Sequence, residues 1–200
     1  MAPRSPGAGS REQRRAHIEQ TALELFGARG FDHVTVEDIC AEAGVAPATF
    51  YRHFGTKEEV VFSFRDDFAA ALLTALDAAA ELPVVMRLPV VISRFAEFLE
   101  SQQDMLAIRD HIILGHPRLL QRTLTIQRDW EGALAAGLAR LRGLTAPDTA
   151  ALTEAGVGLV VLRVALRSWR TQGTGSLLTI TQQTLADLPD LVSRWNTLPE

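Results

Sequence analysis

Apolar residues recur three and four positions apart along most of this chain, and nowhere do they keep the two-residue alternation of a half-buried strand. That rhythm predicts an all-α fold. A first helix opens at Ser10, with Gln13 three residues on as a capping box, carries Ile18, Ala22, Leu25 and Phe26 on one face and stops at Gly30. Thr35 reads as the N-cap of a second helix, with Asp38 at its third position, Val36, Ile39 and Cys40 inward, and Gly44 at its end. Pro47 suits the first position of a short third helix that closes near His53. A fourth opens at Thr56-Lys57-Glu58-Glu59. Its apolar positions Val61, Phe64, Phe68, Leu72 and Leu76 predict about six unbroken turns, ~36 Å at 1.5 Å per residue. Longer helices follow over Val84 to Gln102 (with Pro89 as a point of restart), Met105 to Leu114, Pro117 to Leu141, Pro147 to Gln172 and Gly175 to Asn196. Pro189 predicts a kink or break in the last. The expected organisation is a flexible arm at 1–10, a three-helix unit at 11–56 and a larger helical region at 57–200.

Composition removes several classes of function. The net charge of −4 and pI near 5.8 exclude a protein that grips nucleic acid by bulk electrostatics, so any such binding must be local and shaped. Two basic islands stand out in this acidic chain. Arg4, Arg11, Arg14 and Arg15 face only Glu12 in the first fifteen residues, and Val45 to Lys57 carries Arg52, His53 and Lys57, the sole lysine, with no acid. The longest apolar run, Gly156 to Leu162, ends at Arg163, short of the roughly 18 residues of a membrane span, so no membrane span is expected. No apolar stretch follows Arg4 as in a secretory leader, and a cytoplasmic protein is expected. Cys40 is alone and reads as a small core hydrophobe. His111 and His116 have poor metal spacing, and neither metal nor cofactor is expected. The motifs of hydrolases, zinc proteases and nucleotide-binding enzymes are missing, which argues against an enzyme.

The second helix, the Ala43-Gly44-Val45 turn and the third helix have the layout of a helix-turn-helix. Phe50 and Phe54, four apart, pack inward. Pro47, Ala48, Thr49, Tyr51, Arg52 and His53 then face out, offering small side chains, hydroxyls and a cation to a DNA groove. The residues Leu23-Glu24-Leu25-Phe26, Gly30-Phe31, Val34 to Ile39, Ala43-Gly44-Val45 and Thr49 to Glu59 resemble the tetracycline-repressor (TetR) family of bacterial transcription regulators, over about residues 11 to 64.

The resemblance implies a homodimeric repressor that binds a double-stranded DNA operator through two such headpieces and leaves it when a small effector binds a variable C-terminal domain. It implies phosphate contacts by Thr35 and Lys57, backbone contacts by Tyr51 and His53, and base reading by Pro47, Ala48 and Thr49. Pro47 and Ala48 are apolar here, so readout must lean on Thr49, Arg52 and contact with thymine methyls. Arg14, with Arg11 and Arg15, offers a further DNA contact. Thr35 and Thr56 are also adequately explained as helix caps.

Beyond residue 64 the resemblance fades and periodicity remains. Phe95, Phe98, Met105, Ile112, Gln127 and Trp130 are the candidate lining of a pocket for a mainly apolar effector, although core packing explains them equally. The segment Leu162 to Leu191 resembles the C-terminal domain of a TetR subgroup associated with acyl-CoA ligands. An acyl-CoA would need a cation for its phosphates, with Arg109 or Arg163 as candidates. In the family the last two helices form the dimer interface, here with Leu152, Leu159, Val160, Val161 and Leu166 and with Leu178, Leu185, Leu188 and Leu191. The long fourth helix is the expected lever between pocket and headpiece. A helical adaptor without DNA binding, or a small-molecule-binding helical protein or enzyme, is the alternative from another class.

Overall fold

The computed structural model describes residues 8–172 and 175–195, with no strand among them. The helices are α1 (Ala8–Arg29), α2 (Val36–Ala43), α3 (Pro47–His53), α4 (Lys57–Val61), α5 (Arg65–Ala78), α6 (Val84–Ser101), α7 (Gln103–Gly115), α8 (Pro117–Leu141), α9 (Thr149–Gln172) and α10 (Leu177–Trp195), with a 3-10 turn at Phe31–His33. The expected all-α architecture with an N-terminal helix-turn-helix is present. By contact the chain forms two compact units. The first is the residues up to Asp67 together with Asp104–Leu124, and the second is Phe68–Gln103 together with the residues from Thr125 on.

In the first unit α1 packs on α2, the 3-10 turn and α4, and α2 packs on α3. Ile18, Leu23, Phe26, Val34, Ile39, Phe50 and Val60 are buried there, joined by Leu106, Ile112, Ile113 and Leu119 from the later segment. The cap expected at Ser10 is not formed, because α1 already runs from Ala8 and Ser10 lies inside it. Of the expected arm, residues 1–7 fall outside the described residues. Thr35 does cap α2. Its hydroxyl accepts from Asp38 N at 3.1 Å, and its own N–H donates to the Asp38 carboxylate at 2.9 Å, a complete capping box. Gly44 follows in the left-handed region, φ 63° and ψ 35°, which lets Val45 N reach back to Cys40 O at 3.0 Å. A side chain there would meet no neighbour, so the glycine answers to backbone conformation rather than space.

The unbroken fourth helix does not exist. The helix stops at Val61, turns through Phe62, Ser63 and Phe64, and restarts as α5 at Arg65. All three turn residues are buried, at 2%, 6% and 9% exposure. In addition, the Val61 carbonyl that Arg65 N–H would use in a continuous helix accepts from Arg109 Nε at 3.2 Å, so Arg65 N bonds Phe62 O instead, at 3.1 Å. The Ser63 hydroxyl bonds back to Val60 O at 2.7 Å and reinforces the turn.

In the second unit α6, α9 and α10 pack on one another. The α9–α6 contact is close at Gly158, where an added Cβ would lie 2.9 Å from methyls of both Leu88 and Ile92. Glu100 of α6 fixes the start of α10, accepting from Ser176 Oγ at 2.9 Å and from Leu178 N at 3.2 Å. Pro89 and Pro189 lie within α6 and α10 without ending them. A proline inside an isolated helix costs about 3 kcal/mol; beside Pro89 the buried Val91 and Ile92 offset that loss. By length and a mean hydropathy of 1.6, α9 is apolar enough to cross a membrane, contrary to the expectation from its Arg163, since one cation leaves an 18-residue window apolar. Its apolarity has two faces: Ala155, Val161 and Ala165 enter the core, while Leu152, Val157, Val160 and Val164 are exposed. Leu191 and Val192 of α10 are exposed as well, whereas Val161, expected at an interface, is buried.

Gly158→Leu should cost about 1–3 kcal/mol by overpacking. Gly132→Ala, in α8 with no atom within 4 Å, should instead gain about 0.5–1 kcal/mol. Urea unfolding measures both, and equal responses would contradict the close approach at Gly158.

Candidate nucleic-acid interface

The face of α3 follows from its two phenylalanines. Phe50 and Phe54 turn inward with ring centroids 5.5 Å apart, which leaves Pro47, Ala48, Tyr51 and Arg52 exposed and Thr49 and His53 half-buried. Tyr51 is 50% exposed and stands edge-on to Phe50 at 5.7 Å. The helix is thus a ridge of small side chains bordered by a phenol and a guanidinium.

Beside that ridge lies a cleft of about 270 Å³ lined by Ser10, Arg11 and Arg14 of α1 and by Arg52 and His53 of α3. The two basic islands of the sequence therefore meet in space. Burial and then the charges of Arg52, Arg11, Arg14 and Arg15 push the His53 pKa below its usual value, so near neutral pH the imidazole is uncharged among guanidiniums. An anion entering the cleft would oppose that repulsion.

Two expected phosphate contacts have other partners. The Thr35 hydroxyl donates to Asp38 Oδ2 at 2.6 Å, so its only proton is taken. That bond, with the Thr35 backbone N–H, holds the Asp38 carboxyl below the usual range. Lys57 donates to Phe31 O at 2.9 Å and Val34 O at 3.0 Å, and its ammonium lies 4.5 Å from the centroid of the Phe31 ring. It closes the loop between α1 and α2 from below and keeps one N–H for another acceptor. Lys57→Met should therefore lower the stability of the chain by about 1–3 kcal/mol, the cost of leaving carbonyls unsatisfied. A denaturation midpoint matching the wild type would show the ammonium to be dispensable for the fold.

The expected effector residues fall in different units. Phe95, Phe98, Gln127 and Trp130 belong to the second, and Met105, Arg109 and Ile112 to the first. In the second unit Phe95, Phe98 and Trp130 form an aromatic cluster completed by Phe68, which stacks on Trp130 at 5.4 Å and meets Phe95 and Phe98 edge-on at 5.9 and 5.3 Å. Phe68 had stood only as a core position of the fourth helix. Ile112 is core of the first unit, Met105 is half-buried and Arg163 is exposed. Arg109 is not a surface cation awaiting a phosphate. It is 4% exposed, pairs with Glu19, bonds Val61 O and Ser63 Oγ, and lies 5.1 Å from the Phe64 ring centroid.

Arg15, expected as a further DNA contact, instead donates its guanidinium to Ser63 O at 3.0 Å, and sequence reasoning missed the pairs Arg122–Glu59 at 2.6 Å and His116–Asp32 at 3.1 Å. None carries a local signal, because the partners lie 48, 63 and 84 residues apart.

Comparison with known proteins bears on the same residues. The model for bacterial regulatory proteins of the tetR family matches residues 18–64, and that for the MftR C-terminal domain matches residues 82–192. A Mycobacterium tuberculosis protein described as a mycofactocin biosynthesis transcriptional regulator, MftR, is 31% identical over 153 residues, covering 72% of this chain and 75% of the relative. Among solved structures, a TetR-family regulator from Syntrophomonas wolfei superposes with a TM-score of 0.71 at 18% identity, covering 90% of this chain and 95% of the other. The Bacillus subtilis regulator FadR in complex with stearoyl-CoA superposes with a TM-score of 0.64 at 20% identity, covering 86% and 96%.

Proposed function

Because this chain belongs to the tetR family of bacterial regulatory proteins, we propose that it is a homodimeric repressor released from a palindromic operator by a small, mainly apolar effector. The chain is a transcriptional regulator, and the observation that carries the finer reading is the α3 ridge beside the cationic cleft of Arg11, Arg14, Arg52 and His53 in a protein of net charge −4. In this reading α3 enters the major groove, Thr49 and Arg52 read base edges, and Pro47 and Ala48 touch thymine methyls. Tyr51, His53, Arg14 and the free N–H of Lys57 hold phosphates and fix the register. Thr35 contributes through the cap of α2, which presents the motif. Two headpieces on a twofold axis read half-sites about 34–36 Å apart. The exposed stripe Leu152, Val157, Val160 and Val164 of α9, with Leu191 and Val192 of α10, supports a dimer interface.

The aromatic cluster of Phe68, Phe95, Phe98 and Trp130, with Gln127 nearby in sequence, supports an apolar effector site. An acyl-CoA version would have to find its phosphate partner without Arg109, whose guanidinium is committed inside the first unit; Arg163 is the exposed candidate.

Fluorescence anisotropy with duplexes from upstream of the gene tests the reading. Expected is saturable binding of two protomers per palindromic half-site pair, at least tenfold tighter than to a scrambled duplex (about 1.4 kcal/mol). Equal affinity for both would overturn it. The cleft adds a pH signature. His53 is held largely neutral in the free protein, and phosphates draw its pKa back up, so binding takes up a proton in the window between the two values. Affinity should rise as pH falls through that window and level off below the free-protein pKa. His53→Gln should flatten that rise, and an unchanged pH profile in the variant would remove His53 from the interface.

A further inference from the structure

Arg109 lies on α7, far from the α3 ridge in sequence, yet a continuous set of contacts inside the first unit leads from one to the other. Its Nη2 donates to the Glu19 carboxylate of α1 and to Ser63 Oγ at 3.4 Å, and its Nε takes the Val61 carbonyl at 3.2 Å. Ser63 in turn accepts on its carbonyl from Arg15 Nη2 at 3.0 Å. The Arg15 guanidinium lies 5.6 Å from the centroid of the Phe54 ring, and Phe54 follows the last residue of α3 and packs on Phe50. Arg15 and Glu19 are four apart, one turn of α1, and the helix carries Arg11 and Arg14 of the cationic cleft just before them.

A buried guanidinium bound to a carboxylate, a carbonyl, a hydroxyl and a ring face has one geometry in which all are satisfied. Two of those partners define where α1 stands against the α4–α5 turn. Arg15 carries that placement to the end of α3.

We propose that Arg109 is a positioning residue for operator recognition: from α7, through Ser63 and Arg15, it sets α3 against the arginines of α1. This rests on the reading of that surface as the DNA interface. The path is a chain of packed and hydrogen-bonded groups, and only a coupling measurement establishes that it transmits.

The test uses the full-length protein and the upstream duplex. Removing one partner would strand a buried charge, so the informative variant is Arg109→Met with Glu19→Met, which replaces the pair by apolar side chains. Arg109→Lys is the second variant; it keeps the charge but loses the planar fork that reaches both Val61 O and Glu19. Expected for either, in a protein that still unfolds cooperatively, is an operator affinity lower by about tenfold. Discrimination against the scrambled duplex should fall with it. Adding Arg15→Met to the Arg109 variants should cost less than it does in the wild type, as expected for members of one path. Wild-type affinity and discrimination in the folded variants would assign Arg109 to stability alone and overturn the proposal. If the wild-type chain itself fails to distinguish the two duplexes, the DNA reading falls and takes this one with it.

Discussion

The buried Arg109 guanidinium ties separate segments of the first unit together. Its Nε donates to Val61 O, Arg65 N–H turns to Phe62 O, and α4 ends there with Phe62, Ser63 and Phe64 buried in the turn. A buried arginine is costly to desolvate, and burial pulls the Arg109 pKa down against the opposing pull of Glu19. The cost is offset by four partners, a carboxylate, a carbonyl, a hydroxyl and the face of Phe64. Such a site contributes less to net stability than to choosing one arrangement of α1, α4 and α7 over its neighbours.

The same economy of cations runs through the unit. Lys57 supports the loop between α1 and α2, Arg122 pairs with Glu59 and lies 4.7 Å from the Phe62 ring centroid, and Arg15 holds Ser63. The arginines left to line the cleft with His53 are Arg11 and Arg14 from one basic island of the sequence and Arg52 from the other. A net acidic chain can therefore present a positive site without a positive surface, and long-range attraction to nucleic acid stays weak while local complementarity discriminates.

What was legible in the sequence was local. The capping box of Thr35 and Asp38, the left-handed Gly44, Pro47 at the start of α3 and the inward pair Phe50 and Phe54 each involve residues within four or five positions, and together they dictate which way Tyr51 and Arg52 face. What was not legible depends on distant partners. The apolar row Val61, Phe64, Phe68 predicts a straight helix unless one knows that a side chain 48 residues away takes the Val61 carbonyl. Lys57 reads as an outward cation until the carbonyls of Phe31 and Val34, 26 and 23 residues back, are brought beneath it. Arg109 reads as a ligand cation for the same reason, its carboxylate partner being 90 residues away. The apolarity of α9 was visible, and its division into a buried face and an exposed one was not.

Asp104–Leu124 belongs to the same compact unit as α1, α2 and α3, and it should open with them as one cooperative unit. Native-state amide hydrogen exchange tests it directly, because segments that open together share one opening free energy and one response to denaturant. The slowest amides of α1, α2 and α7 are expected to converge on a single opening as denaturant is raised. Convergence of α7 instead with α9 and α10, apart from α1 and α2, would contradict it.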